Sequence, residues 1–239
     1  MSEHISTAYD RDLEAIQTLI MKMGGLVETA ILDATRSLET RDTELAETVR
    51  AGDKLIDQLE EELNEKVAQV IALRSPNAGD LRAVLTVLKI SSDLERIGDY
   101  AKNLAKRTSV LVQMDAVNGA SGGIRRLAQA VEKMLKDVLD AYIQHDVDLA
   151  EAVRLRDHEV DQMYNALFRE FLTHMMEDPR TITACMHLHF IAKNIERMGD
   201  HVTNVAEQVI YLVTGQTPED ARPKGDRSSV EMLDIEKGA

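Results

Sequence analysis

The fold of this chain is decided by the stretch Glu95-Arg96-Ile97-Gly98-Asp99. It returns as Glu196-Arg197-Met198-Gly199-Asp200, at a distance of 101 residues (196 − 95). On a helix, acidic residues four positions apart lie on one face, with about 5–6 Å between their Cβ atoms. The stretch therefore indicates a duplicated helix. Each copy carries a carboxylate pair that could hold one cation.

The duplication extends upstream of this stretch. Asp53-Lys54-Leu55-Ile56-Asp57-Gln58-Leu59 aligns with Asp157-His158-Glu159-Val160-Asp161-Gln162-Met163 at a shift of 104 (157 − 53). Pro76 aligns with Pro179 at a shift of 103 (179 − 76). Three landmarks in the same order predict a repeat of about 100 residues, a usual domain size, that differs only by small insertions. Each repeat contains a second acidic pair at helical spacing.

The composition favours packed helices. Of 239 residues, 44% are hydrophobic and only 3% aromatic, with no tryptophan, whereas strands are enriched in aromatic and β-branched residues. All four prolines lie at the repeat's connectors or near the C-terminus, so every long amphipathic stretch is free of them. The predicted fold is all-α, with two tandem pseudo-symmetric three-helix bundles made of six long antiparallel helices.

Apolar residues at helical spacing place these helices. The predicted spans are 8–40, 44–73, 80–114, 124–144, 147–176 and 181–214. The glycine-rich stretch 118–123 marks a boundary between the halves. We therefore predict a first repeat over 8–116, a linker over 117–123, a second repeat over 124–214, and a flexible acidic tail over 215–239.

The net charge and the cysteine content exclude some classes of function and cellular location. A net charge of −14 and a pI near 4.9 argue against nucleic-acid binding, which needs basic surface to neutralise phosphates. The single Cys185 excludes an intramolecular disulfide and fits a reducing cytosol. The sequence shows neither a leader pattern nor an apolar run of about 20 residues. We therefore expect a cytoplasmic protein without direct membrane insertion, peripheral at the inner membrane only through partners.

The acidic pairs form candidate metal sites. If the second and third helices of a repeat lie antiparallel and side by side, Asp53 and Asp57 converge with Glu95 and Asp99. Carboxylates so close repel one another unless they are protonated or neutralised by metal, and oxygen ligands suit hard cations, iron or manganese. Glu95 and Asp99 also lie opposite the apolar stripe of their helix. Glu196 and Asp200 have the same relation to the stripe of their helix, and we expect these four carboxylates to face outward.

Two other interpretations of these acids stay open at this stage. The adjacent Arg96 and Arg197 could complete a salt-bridge network between helices, which needs no metal. The acids could also be a solvated face of a helical scaffold whose partners bind apolar seams. His158 and His201 are adjacent to the motifs, but histidines on helix surfaces are usually not metal ligands.

The sequence favours an enzymatic function less than a binding or regulatory one. Carboxylate-bridged di-iron bundles need Glu-x-x-His on two helices, and no glutamate here is followed by histidine three residues later. No nucleophile, base and orienting group converge in the pattern, and no formed phosphate site is evident. We expect a non-enzymatic protein, with a metal-dependent phosphate-ester hydrolase as the less favoured alternative.

At this point the residues resemble a known family. An acidic-x-x-x-Asp pair on the second helix and Glu-Arg-x-Gly-Asp-x-x-x-Asn on the third, in both repeats, is similar to the PhoU family. The resemblance covers about residues 8–214, and its most specific part is residues 194–207, Asn-Ile-Glu-Arg-Met-Gly-Asp-His-Val-Thr-Asn-Val-Ala-Glu. It implies a helical, often dimeric protein with multinuclear iron, or manganese, zinc or magnesium, on its outer surface. The implied ligands are Asp53, Asp57, Glu95, Asp99, Asp157, Asp161, Glu196 and Asp200.

The resemblance also implies a role in phosphate homeostasis. Such proteins are negative regulators of the phosphate-starvation response and of phosphate uptake. They act between the phosphate-specific ABC transporter and the histidine kinase that senses phosphate. The expected partners are the transporter's ATPase subunit, the cytoplasmic region of that kinase and a second copy of the chain.

Overall fold

The computed structural model describes the backbone of residues 2–218 and the side chains of residues 9–218. Within these residues the chain folds into six long helices, which confirms the predicted all-α fold. They are α1 (Ser2–Thr40), α2 (Thr43–Arg74), α3 (Ala78–Leu111), α4 (Ala120–Gln144), α5 (Val147–Glu177) and α6 (Ile182–Thr214), with a short 3₁₀ turn (Pro179–Thr181) before α6.

The N-termini of α2 and α5 have the same capping interaction, as expected from the repeated sequence. The Asp42 carboxylate accepts a hydrogen bond from the Leu45 backbone N–H at the start of α2. Asp146, 104 residues later, accepts one from the Leu149 N–H at the start of α5. Each aspartate thus satisfies an N–H that has no partner within the helix.

The halves share one continuous core. α1, α2 and α3 pack on one another, as do α4, α5 and α6, although α4 and α1 also pack together and so do α3 and α6. The helices α1, α3, α6 and α4 each pack on the next and α4 packs again on α1, so they form a central four-helix bundle. α2 covers it in the first half and α5 in the second. Buried apolar residues from all six helices join in one cluster.

The boundary between the repeats differs from the prediction. Helix α3 ends at Leu111 and α4 already begins at Ala120, so the linker predicted over 117–123 extends too far. Gly123 lies in the first turn of α4, where an added Cβ would be 2.4 Å from Leu167 Cδ2 on α5. This glycine allows close helix packing, which explains why glycine content alone misplaced the boundary. Most of the predicted tail, residues 219–239, lies outside the described part.

One helix also departs from our membrane expectation. Helix α1 contains an 18-residue window with a mean hydropathy of 1.3, which satisfies the length and composition criteria for a membrane span. Core helices of soluble bundles meet the same criteria. In the structure, Ile16, Ile20, Met23, Val27 and Ile31 of α1 are all buried within the shared core.

Candidate functional site

The second and third helices of each repeat approach closely at the glycine of the duplicated motif. A Cβ added at Gly98 would lie 2.9 Å from Ile56 Cδ1 and 3.8 Å from Asp53 Oδ1. Glycine is therefore the residue that lets α2 come this near to α3. The predicted convergence of the acidic pairs from these two helices is confirmed in the first repeat.

The second repeat reproduces this contact. A Cβ added at Gly199 would lie 3.3 Å from Val160 Cγ1 and 3.6 Å from Asp157 Oδ1. Val160 and Asp157 are the counterparts of Ile56 and Asp53 at the shift of 104. The repeated sequence thus produces the same helix contact twice, with an aspartate at each.

We define the first cluster as the carboxylates that this contact gathers between α2 and α3. Lys102 joins the two helices within it, since its Nζ lies 2.5 Å from Asp53 Oδ2 and 3.1 Å from Asp99 Oδ1. Arg96 is more distant, at 3.6 Å from Glu95 and 3.8 Å from Asp99. The members of the first cluster are Asp53, Asp57, Glu60, Glu95 and Asp99.

Burial, together with mutual repulsion, raises the pKa of three acids of the first cluster. Burial, followed by the charge of Asp99, raises the pKa of Glu95 from 4.5 to about 7. Burial and the neighbouring Asp53 raise the pKa of Asp57, and burial and Asp57 raise that of Glu60. All three shifts favour the protonated acid, so the cluster retains protons that isolated carboxyl groups would release.

The expectation that the acidic pairs of the third helices face outward is wrong for Glu196, which is only 5% exposed. On the second helices, Asp57 is exposed, whereas Asp53, Asp157 and Asp161 are only 3–5% exposed. The apolar stripe of a helix shows which of its faces points to the core. It does not show that a neighbouring helix also covers the residues beside that stripe. The buried four are Asp53, Asp157, Asp161 and Glu196.

We define the second cluster as Asp157, Asp161, Glu196 and Asp200, between α5 and α6. Lys193 Nζ lies 2.9 Å from Glu196 Oε1 and 5.0 Å from the centre of the Tyr164 ring. The buried Arg154, one turn before Asp157, lies 2.8 Å from Glu151 Oε2. The second cluster is therefore more deeply buried than the first and has cationic side chains beside it.

Sequence reasoning missed Lys102, Lys193 and Glu60. The sequence pattern pointed to Arg96 instead, but the Arg96 side chain is 59% exposed and lies 3.6 Å from Glu95 and 3.8 Å from Asp99. The available signal was helical spacing, because Lys102 follows Asp99 by three positions and Lys193 precedes Glu196 by three. The network that was left open as a metal-free alternative is thus present in the first cluster, with a lysine as its closest cation.

The two candidate histidines are engaged elsewhere. His158 Nε2 lies 2.8 Å from Gln162 Nε2 on the exposed side of α5. His201 Nδ1 lies 2.7 Å from Asp93 Oδ1 on α3, so it joins the two repeats. Asn204 Nδ2 donates to the same Asp93 oxygen at 3.2 Å.

The fit of a metal ion can be judged from the donor groups. Carboxylate oxygens are suitable ligands for a hard cation. Within residues 9–218, however, no three His, Cys, Asp or Glu side chains are placed so that they could hold one ion. In the first cluster, the Lys102 ammonium group lies between Asp53 and Asp99. The donor chemistry fits a metal, but the arrangement does not form a site for one, and metal binding by the eight residues stays a prediction.

Comparison with known proteins places this architecture in a family. The family model described as "PhoU domain" matches twice, at residues 20–108 and 124–209. A phosphate-specific transport system accessory protein PhoU homolog of Caulobacter vibrioides is 46% identical over 226 residues, which are 95% of this chain and 98% of that protein. A protein of the same description from Rhizobium meliloti is 44% identical, and the match covers 95% of each chain.

Comparison with solved structures leads to the same family. PhoU from Pseudomonas aeruginosa superposes with a TM-score of 0.84 at 38% identity, covering 87% of this chain and all of that one. The phosphate transport system regulatory protein PhoU from Streptococcus pneumoniae gives a TM-score of 0.81 at 28% identity, covering 88% and 99%. With two matched domains and relatives similar along nearly the whole chain, this protein belongs to the PhoU family.

Proposed function

We propose that this chain is a negative regulator of the phosphate-starvation response and of phosphate uptake. It couples the phosphate-specific ABC transporter to the histidine kinase that senses phosphate. The carrying observation is similarity along nearly the full length to proteins described as accessory to phosphate-specific transport. Their description as accessory or regulatory proteins also supports a non-enzymatic role.

The fold supports an adaptor with two related faces. The first cluster lies between α2 and α3 and the second between α5 and α6. The central four-helix bundle joins both to one core. A single body with two similar but unequal helix-pair faces, α2 with α3 and α5 with α6, can contact two partners at once. We assign these faces to the transporter's ATPase subunit and to the cytoplasmic region of the kinase.

Charge complementarity supports docking through the acids. The chain carries a net charge of −14, and Asp57 and Asp99 present carboxylates at least partly to solvent in the first cluster. Basic patches on the partners would be steered to such a face, with an association rate that falls as salt rises. This docking needs no metal ion.

Binding of the purified partners tests the proposal. The chain should bind the ATPase subunit and the kinase's cytoplasmic region in calorimetric titrations, more weakly as salt is raised. Asp57→Asn with Asp99→Asn should weaken one of these interactions by about tenfold, because rim charges steer association. Glu44→Gln with Glu65→Gln removes the same charge from exposed positions on α2 and should have little effect. Failure to bind either partner would contradict the coupling role.

A further inference from the structure

The first cluster gathers more negative charge than its surroundings neutralise. Five carboxylates lie between α2 and α3, and Asp53 among them is only 5% exposed. Burying a carboxylate is costly unless a cation or a donor compensates it. Two cationic side chains contact this cluster in the described structure, Lys102 and Arg96.

Lys102 is the cation that joins the helices. Its ammonium group lies 2.5 Å from Asp53 of α2 and 3.1 Å from Asp99 of α3. An ammonium group offers three donors around one positive charge, so it can serve carboxylates on two helices together. Lysine is protonated at neutral pH, so the side chain brings a positive charge to both carboxylates.

The second repeat lacks a lysine at the corresponding place. Position 102 corresponds to Thr203 (203 − 102 = 101), which is fully buried and donates to the Gly199 carbonyl oxygen at 2.9 Å. Lys193 serves the second cluster from the other side, one turn before Glu196. Its counterpart in the first repeat is Ser92 (193 − 92 = 101).

The two halves thus reach one electrostatic outcome by different means. The acidic motif and the glycine contact repeat in register, but the lysine enters from opposite ends of the motif. A shared need of the cluster for a cation explains a lysine at both sites. General surface charge does not explain it, because each lysine is aimed at a carboxylate of its own cluster.

We propose that Lys102 is the resident cation of the first cluster. Its ammonium group occupies the position between Asp53 and Asp99 that a divalent cation bridging α2 and α3 would need. The first cluster therefore binds no metal in the native protein. Replacing Lys102 by a neutral side chain removes the ammonium group from between these carboxylates, which should then close around a hard divalent cation. The inference concerns the metal prediction and is independent of the regulatory role, since its test uses purified protein alone.

Manganese binding to the purified full chain tests the inference. Mn²⁺ titrations followed by electron paramagnetic resonance would compare wild type with Lys102→Thr, which installs the residue of the second repeat. The variant should bind about one additional equivalent of Mn²⁺, and a further Asp53→Asn change should abolish it. Lys106→Thr is the matched control, because it removes the same charge one turn along α3 from an exposed position. An unchanged Mn²⁺ stoichiometry in Lys102→Thr, or an equal gain in Lys106→Thr, would overturn the proposal.

A single substitution in the wild-type protein tests the proposal without requiring that the Lys102→Thr variant folds. Asp53→Asn alone should leave the Mn²⁺ stoichiometry of the native protein unchanged, because Lys102 already fills the cluster. Loss of one equivalent in this variant would show that metal, and not lysine, neutralises the first cluster.

Discussion

The rings of Tyr100 and His201 lie 5.7 Å apart between centroids, and the two residues hold the same position in the two repeats (201 − 100 = 101). Contact between equivalent positions places a pseudo-twofold axis between them. The ends of the helices agree, because Arg82 near the start of α3 lies over Tyr211 near the end of α6. Arg107 near the end of α3 lies over Phe190 near the start of α6. The two halves therefore pack as antiparallel partners.

The asymmetry at this axis yields a first prediction. His201 bonds Asp93 at 2.7 Å, whereas the counterpart of His201 is Tyr100 and that of Asp93 is Asn194. A double-mutant cycle of His201→Ala and Asp93→Ala should give a coupling free energy of about 1–2 kcal/mol, as contacting polar residues do. Urea unfolding would measure it. A coupling near zero would show that this bond contributes nothing to holding the repeats together.

A second prediction concerns the close helix contact at Gly98. Gly98→Ala gains helix propensity of about 1 kcal/mol, but its Cβ would press on Ile56, which is buried in the core. Gly52→Ala gains the same propensity with no atom within 4 Å of the new Cβ. We expect Gly52→Ala to stabilise the fold and Gly98→Ala to be less stable than it by about 1–3 kcal/mol, the cost of overpacking. Equal free energies of unfolding would contradict the close contact.

A third prediction follows from the titration of Glu95. Its pKa is raised from 4.5 to about 7, so this carboxyl group binds more protons in the folded protein than in the unfolded chain between these values. The contribution of Glu95 to the free energy of unfolding should therefore fall as pH rises from 4.5 to 7. Glu95→Gln should reduce this fall, measured by urea unfolding in chelator-containing buffers. The control is Glu65→Gln, at an exposed position of α2 outside the cluster, which should follow wild type. A Glu95→Gln profile as steep as that of wild type would contradict the shift.

A fourth prediction separates the two clusters by metal content. Our proposal excludes metal from the first cluster alone, because Lys102 lies between carboxylates of two helices, whereas Lys193 contacts Glu196, three positions along its own helix. The metal prediction for the second cluster is therefore tested separately. Elemental analysis of untagged protein purified without chelator should find iron, manganese or zinc that Glu196→Gln with Asp200→Asn removes. Glu95→Gln with Asp99→Asn should leave that metal content unchanged. Metal lost only from the variant of the first cluster would reverse this assignment.

The sequence was sufficient for the helices and for the gathering of the acids, for physical reasons. Apolar periodicity is a local signal, and two copies of one motif restrict how the helices of each repeat can pair. Burial of Asp53 was not predictable from α2 alone, because it depends on a neighbouring helix. The role of Lys102 was missed because a flexible side chain reaches its partner only once both helices are placed. The contact of Tyr100 with His201 depends on packing between repeats, which no local pattern reports.

The regulatory role itself is tested most directly with a phosphate-controlled reporter gene in a bacterium that lacks its own PhoU. Expression of this chain should restore repression in phosphate-rich medium. The Asp57→Asn, Asp99→Asn variant should restore it less well than the Glu44→Gln, Glu65→Gln control at equal protein levels. A reporter that stays fully active in phosphate-rich medium, with the folded chain present, would contradict the account.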